Sequence, residues 1–405
     1  QNNPDAQPSE DAASAVESQS PIQTELPFCE SGNHFLSLEA GGAWIDTGVV
    51  HQPLSRTPPE NEHRHFLCYE HEGYKDTFQW QPPCRSRALP TQESTSSATR
   101  SEWPPSIEEA EQRPLQVLLW GDSLQYQIMK ATQLRPKDYI PPKRSIQYKI
   151  KRHHEVYFVR SSHLIFKSPK SSHCQRKINH HPENFYMEEY ASEQELVASV
   201  FGNKTYDYIF FNEFAHHGHL TNRIRRCYQA QGLTHQDVLK DALVHFTREM
   251  RFIARILRQY FPTTRVYFRT SSPQVYKWAP AEKPLKRVPH ALRSFGYADC
   301  VDTPSQQNLH LWRCVPTYNA IATAAFVRRG HAILDTAPAM SLRVDAHPCS
   351  NQQHRDSYVH WNKSHEDCNH FCAAPGPPDV MVQAMEAEIF AREYEKQQQE
   401  KTTIA

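Results

Sequence analysis

The chain has 405 residues, and its 45 Lys plus Arg balance 45 Asp plus Glu, so no net basic field argues for nucleic acid or an anionic membrane surface as a partner. That length allows one large domain with an appendage or two domains, and 30 prolines with only 38% hydrophobic residues point to long loops and tails around an ordinary core. No run approaches the roughly 18 apolar residues of a membrane span, and a start at Gln1 rather than Met leaves room for a signal peptide or anchor removed ahead of this numbering.

In chain order, residues 1–27 are Ser, Ala, Gln and Pro-rich with no Lys or Arg, and read as a disordered tail or stalk. Residues 28–90 carry Trp44, Phe66, Tyr69, Tyr74, Phe78 and Trp80 but few aliphatic runs, the pattern of a small lobe stapled by disulfides. Residues 91–113 are a Ser/Thr/Glu/Pro-rich linker, 114–390 have the rhythm of an α/β domain, and 391–405 read as a C-terminal tail.

Within that domain, "PLQVLLWGDSLQYQI" (114–128) reads as a buried strand that ends at Gly121 and gives way to a helix. Ser123 then sits at a strand's carboxyl end, where open α/β sheets place their ligands; equally, Asp122 or Ser123 serves only as a helix cap. "EVYFVR" (155–160), "YDYIFFN" (206–212) and "RVYFRT" (265–270) are further strands. Between the last two, Val238, Leu239, Ala242, Leu243, Phe246, Met250, Ile253 and Leu257 follow the helical period until Pro262. Strands separated by long helices predict a mostly parallel sheet covered on both faces, with Ser123 and Asn212 on one rim.

Ten cysteines are spread over the chain without a CxxC pair, which fits disulfides in an oxidising lumen better than a zinc site. The sequons at Asn203 and Asn362 agree with a secretory chain. His216, His217 and His219 lie close together, but no Cys or carboxylate completes a ligand spacing, so no metal is expected.

A serine hydroxyl needs an imidazole to take its proton and a third group to orient that imidazole. "EDCNHFC" offers Asp367 and His370, three apart and flanked by Cys368 and Cys372. The competing pairs are Asp356/His360 and Asp345/His347, and the plain alternative is two solvated residues in a Cys-rich loop.

These blocks resemble the PC-esterase branch of the GDSL/SGNH hydrolases, and within it the plant trichome-birefringence-like polysaccharide O-acetyltransferases. The likeness rests on Gly121-Asp122-Ser123, on Asp367-Cys368-Asn369-His370-Phe371-Cys372, and on Pro375-Gly376-Pro377-Pro378-Asp379. It extends to "RVDAHP" (343–348), "YFRTSSP" (267–273), and Cys68, Gly73, Asp76, Trp80-Gln81-Pro82 and Cys84 of the lobe. Tyr126-Gln127 replaces the family's Arg-Asn, Tyr74 its lobe Arg, and "NEFAHHGH" (212–219) its Asn-x-Gly-His-Trp. No glycine lies between Gly121 and Gly202, so the backbone around Ser161-Ser162 stands in for the superfamily's second-block glycine. The string Ser31-Gly32-Asn33-His34 reads as coincidental.

The resemblance implies a three-layer SGNH-like sandwich with a disulfide-stapled N-terminal lobe. Ser123 would be the nucleophile, His370 the base and Asp367 its orienting acid, with the Ser123 N–H and the Asn212 amide as oxyanion donors. It implies the disulfides Cys29–Cys84, Cys68–Cys372 and Cys300–Cys368, leaving Cys314 for Cys349. The function implied is O-acetylation of a polysaccharide in the Golgi lumen or outside the cell, with an acetyl donor but no bound cofactor. A carbohydrate esterase and an inactive glycan-binding module are the alternatives. Trp44 and Trp80 would line a sugar groove or simply core the lobe, and Arg269 would contact substrate or brace the site.

Overall fold

The computed structural model describes residues 26–47, 78–85, 114–132, 145–149, 154–161, 163–165, 184–202, 204–214, 232, 234–272, 314–343, 346, 371 and 376–404. In the lobe, helix α1 (Gly32–Phe35) is capped by the Ser31 hydroxyl, which accepts from the His34 N–H. Strands β1 (Ala43–Asp46) and β2 (Phe78–Gln81) pair antiparallel with Trp44 opposite Trp80. The expected Cys29–Cys84 disulfide is formed and closes a span of 55 residues. Cys314 is also disulfide-bonded, to a cysteine outside the described residues.

The α/β domain follows. Strand β3 (Leu115–Gly121) leads into α2 (Ser123–Thr132), and β4 (Ser145–Lys149) precedes β5 (His154–Arg160). A small parallel pair, β6 (His163–Ile165) with β7 (Asn184–Tyr186), comes before α3 (Glu193–Phe201) and β8 (Tyr208–Asn212). Then come α4 (His235–Tyr260), β9 (Arg265–Arg269), α5 (Val315–Val327), β10 (Ala332–Leu334), α6 (Ala337–Met340) and α7 (Pro377–Ile404). The main sheet has the order β10-β9-β8-β3-β5-β4, with every pairing parallel except that of edge strand β4 with β5. The mostly parallel sheet expected from the strand and helix rhythm is therefore present.

Alternation along the strands sends side chains to opposite faces. Leu118, Trp120, Ile209, Phe211 and Phe268 pack with Leu239, Leu243, Phe246, Met250, Ile253 and Leu257 of α4 and with residues of α3 and α5. Val117, Leu119, Phe158, Tyr208, Phe210 and Tyr267 face the other way, onto α2, α7 and the lobe. Helix α4 starts at a capping box formed by Thr234 and Asp237 and ends at Tyr260, with Phe261 as its C-cap ahead of Pro262, as its period predicts.

The described residues of the lobe share their core with the α/β domain. Cys29, Phe35, Leu36, Trp80 and Cys84 share one cluster with Leu334, Met340, Ala384 and Met385. A Cβ on Gly32 would overlap the Ala384 carbonyl oxygen, so α1 lies against α7 as closely as a glycine permits. The Asn33 side chain donates to the Ile333 carbonyl (2.8 Å) and accepts from the Asp335 N–H (2.7 Å). The Gly32-Asn33 pair of the coincidental string thus docks the lobe.

One difference from the sequence reading concerns the C-terminus. Residues 391–404, expected as a tail, continue α7. Their Glu, Gln, Lys and Arg residues are good helix formers, and Arg392 bridges Glu388 and Glu395 at helical spacing. Among the described residues, no helix is long and apolar enough to cross a membrane.

Glu388 joins lobe, sheet and helix: its carboxylate accepts from the Gly32 N–H (2.7 Å), the Tyr267 hydroxyl (2.9 Å) and Arg392 (2.9 Å). Glu388→Ala leaves buried donors without an acceptor and should lower unfolding free energy by about 2–4 kcal/mol. Urea denaturation followed by tryptophan fluorescence checks this; a loss below about 1 kcal/mol would show that the three donors find other acceptors.

Candidate active site at the carboxyl rim of the sheet

Strand register places Gly121 of β3 beside both Asn212 of β8 and Arg160 of β5, so three parallel strands end at one level. Gly121 is required there, because a Cβ would overlap the Asn212 carbonyl oxygen. The chain then turns through Asp122, whose Oδ1 accepts from the Leu124 N–H (2.9 Å) and whose Oδ2 accepts from the Phe214 N–H (2.9 Å). Asp122 is thus the helix cap, and it also ties the end of β8 to the start of α2. Ser123 is not needed for capping. It occupies the first position of α2, in the turn whose N–H groups have no intrahelical acceptor.

Asn212 is fully buried, and its amide donates to the Arg269 carbonyl (2.7 Å) and the Ser271 hydroxyl (2.8 Å). Ser271 is held in turn by Asn319 of α5, which accepts from its N–H (2.9 Å) and donates to its carbonyl (2.8 Å). Both Asn212 amide protons are therefore engaged, and the side chain acts as a strut between the ends of β8 and β9. Service as an oxyanion donor requires it to release Ser271. Ser161, at the end of β5, donates its N–H to the Gly121 carbonyl (2.8 Å), so that N–H is bound within the sheet.

Arg269 is only 2% exposed. Its Nε donates to Gln125 Oε1 (3.0 Å) and Nη1 to the Thr270 carbonyl (3.3 Å), while burial lowers its pKa to about 10 against the pull of Asp122. Of the two roles open from sequence, this burial fits bracing rather than substrate contact. The tryptophans answer similarly. Trp80 is 4% exposed, with its indole N–H on the Phe35 carbonyl (3.1 Å), so it is core rather than a sugar platform. Trp44 is half-buried, donates to the Ala339 carbonyl (3.0 Å), meets Trp80 edge-on and lies under the Arg343 guanidinium. Among the described lobe residues, Phe35 and Trp80 share the buried area with Leu36 and the Cys29–Cys84 pair.

Asp367 and His370 lie outside the described residues, as do Asp345, His347, Asp356, His360 and His216, His217 and His219. Among the described residues, no cluster of His, Cys, Asp and Glu could hold a metal. Phe371, which follows His370, is described: it is buried, and its backbone is bonded to Gln127 of α2.

Sequence pattern did not single out Gln125, Glu213 or Glu249, and marked Gln127 only as a departure from the family's Asn; all four are buried. Gln125 and Gln127 alternate with the apolar residues of α2, and Glu249 falls on the apolar stripe of α4; a polar side chain at such a position must find a partner. Glu213 faces Glu249, Asp122 and Ser161. Burial, and then the Glu249 and Asp122 carboxyls, raise its pKa well above the usual carboxylate range. The unfolded chain releases this proton near the ordinary Glu value of about 4.3. The folded chain holds it to higher pH, so this group's contribution to stability falls as pH rises through that window, by at most about 1.4 kcal/mol per pH unit. Glu213→Gln has no such proton to lose. Its stability relative to the parent chain should therefore rise from pH 5 to pH 8 in urea titrations, and a pH-independent difference would place an ionised Glu213 in the fold already at pH 5.

A family model described as PC-Esterase, a GDSL/SGNH-like acyl-esterase family found in Pmr5 and Cas1p, matches residues 113–387. A solved structure from Parabacteroides merdae ATCC 43184, described as a GDSL-like lipase, is similar at 9% identity with a TM-score of 0.29, covering 68% of this chain and 96% of that one. No curated protein matches the chain significantly.

Proposed function

Because the chain belongs to the PC-Esterase family of GDSL/SGNH-like acyl-esterases, we propose that it is a polysaccharide O-acetyltransferase of the secretory lumen that works through an acyl-serine. The observation that carries the reading is the turn at Ser123. With Asp122 as the cap, Ser123 stands at a helix start on the carboxyl end of the sheet's central region, inside a family match that also spans Asp367 and His370. The Cys29–Cys84 and Cys314 disulfides support an oxidising compartment.

In this reading His370 takes the Ser123 proton while Asp367 orients the imidazole and stabilises it once charged. The Ser123 oxygen attacks the acetyl carbonyl of the donor. The oxyanion is held by the Ser123 N–H and by the Asn212 amide after it lets go of Ser271, each such donor contributing about 3 kcal/mol. The tetrahedral intermediate expels the donor's leaving group, which takes the proton from His370. A sugar hydroxyl, deprotonated by His370, then attacks the acyl-serine; the second tetrahedral intermediate expels the Ser123 oxygen, which takes the proton back from His370, and the acetyl group leaves on the sugar.

Hydrolysis is the second reading, favoured by the family's acyl-esterase description and by Tyr126-Gln127 standing where the resemblance has Arg-Asn. Water then replaces the sugar hydroxyl in the last step. An activated acetyl ester, offered with and without a neutral or mildly acidic acceptor oligosaccharide, separates the two: transfer gives acetylated oligosaccharide, hydrolysis gives acetate alone. Turnover of neither kind would leave a glycan-binding module. Ser123→Ala should fold normally and lose both reactions by at least about 10³-fold, and near-normal turnover in that variant would remove Ser123 from the mechanism.

A further inference from the structure

Gln127 lies four residues after Ser123 on α2, one turn along the same face, and is 1% exposed. Its side-chain amide uses both ends on a single residue: Nε2 donates to the Phe371 carbonyl (2.7 Å) and Oε1 accepts from the Phe371 N–H (3.2 Å). The partners are 244 residues apart. The Phe371 ring is buried in the same cluster as Tyr126, Ile128 and Met129 of α2 and Val380 and Met381 of α7.

The N–H that Gln127 holds belongs to the peptide group joining His370 to Phe371. Both backbone groups of Phe371, the residue that follows the proposed base, are thereby referenced directly to the helix that starts at Ser123. A general base acts only within about 3 Å of its proton, and a misplacement of about 1 Å can lower rate by about 10²-fold. A buried glutamine could satisfy its amide on any carbonyl and N–H nearby. This one bridges the helix of the proposed nucleophile and the residue after the proposed base.

We propose that Gln127 is a positioning residue that sets the His370 backbone against the Ser123 helix. The inference rests on the reading of Ser123 and His370 as nucleophile and base. Chemistry picks out the amide: a carboxylate of the same shape keeps the acceptor for the Phe371 N–H but faces the Phe371 carbonyl with a second acceptor, and an apolar isostere satisfies neither group.

The test uses the full chain with Q127E and Q127M, p-nitrophenyl acetate as acyl donor, and Ser123→Ala and His370→Ala as controls. Pre-steady-state acylation per folded molecule should fall about 10- to 100-fold in both variants, with KM for the ester within about twofold. The limb of the pH–rate profile assigned to His370 should shift in Q127E and not in a distant variant of equal Tm. Wild-type acylation in folded Q127E and Q127M, or a loss that only tracks the unfolded fraction, overturns the proposal while the controls keep the triad reading intact. Activity retained in Ser123→Ala or His370→Ala removes that reading and this inference with it. If neither Q127E nor Q127M folds, Gln127→Asn is measured in the same way, and a series in which no variant folds assigns Gln127 to folding instead of positioning.

Discussion

The Asp122 carboxylate is the interaction on which the rim depends. It is fully buried, one oxygen holds the first turn of α2 and the other holds the Phe214 N–H just past β8, and the Arg269 guanidinium supplies the opposite charge from β9. A buried carboxylate is tolerated only when N–H groups and a counter-charge replace its water. Satisfying Asp122 therefore brings three elements to one point. The Gly121 approach to the Asn212 carbonyl follows from the same convergence, as does the burial of Arg269 against Gln125.

Around that point the polar groups form a connected layer beneath the rim. Asn212 reaches Ser271, Ser271 reaches Asn319 of α5, and Thr270 donates to Asp335 beyond β10 (2.7 Å). Side chains in such a network have few alternative rotamers, because each change leaves a buried group unpaired. In the proposed mechanism this network fixes the Ser123 turn, and the Asn212–Ser271 bond is the link that opens when Asn212 serves as an oxyanion donor.

Much of the fold was legible in sequence because it rests on local period. β3, β5, β8 and β9 are short β-prone runs, and α4 repeats apolar residues until Pro262. The GDS turn was legible as a choice between capping and chemistry, and the hydrogen bond from the Leu124 N–H decides which of Asp122 and Ser123 caps. What was not legible is non-local. Nothing in the spacing of Gln127 announces Phe371, and Glu249 reveals itself only as a charge on an otherwise apolar stripe. Residues 391–404 lack an apolar period, so their helix shows only in a composition of good helix formers. The tryptophans illustrate a further limit: an aromatic residue in a lobe poor in aliphatics has the same sequence signature whether it packs or binds.

The docking of the lobe has a mechanical meaning. Glu388 takes the Gly32 N–H and the Tyr267 hydroxyl on one carboxylate, Asn33 closes on both sides of Leu334, and Phe35 and Trp80 sit in the cluster that also holds Phe371. Strain applied to the described part of the lobe is therefore passed to α7 and to the inner face of the sheet. In the language of native-state exchange, these contacts predict that the described residues of the lobe, α7 and the β10 edge open together as one cooperative unit.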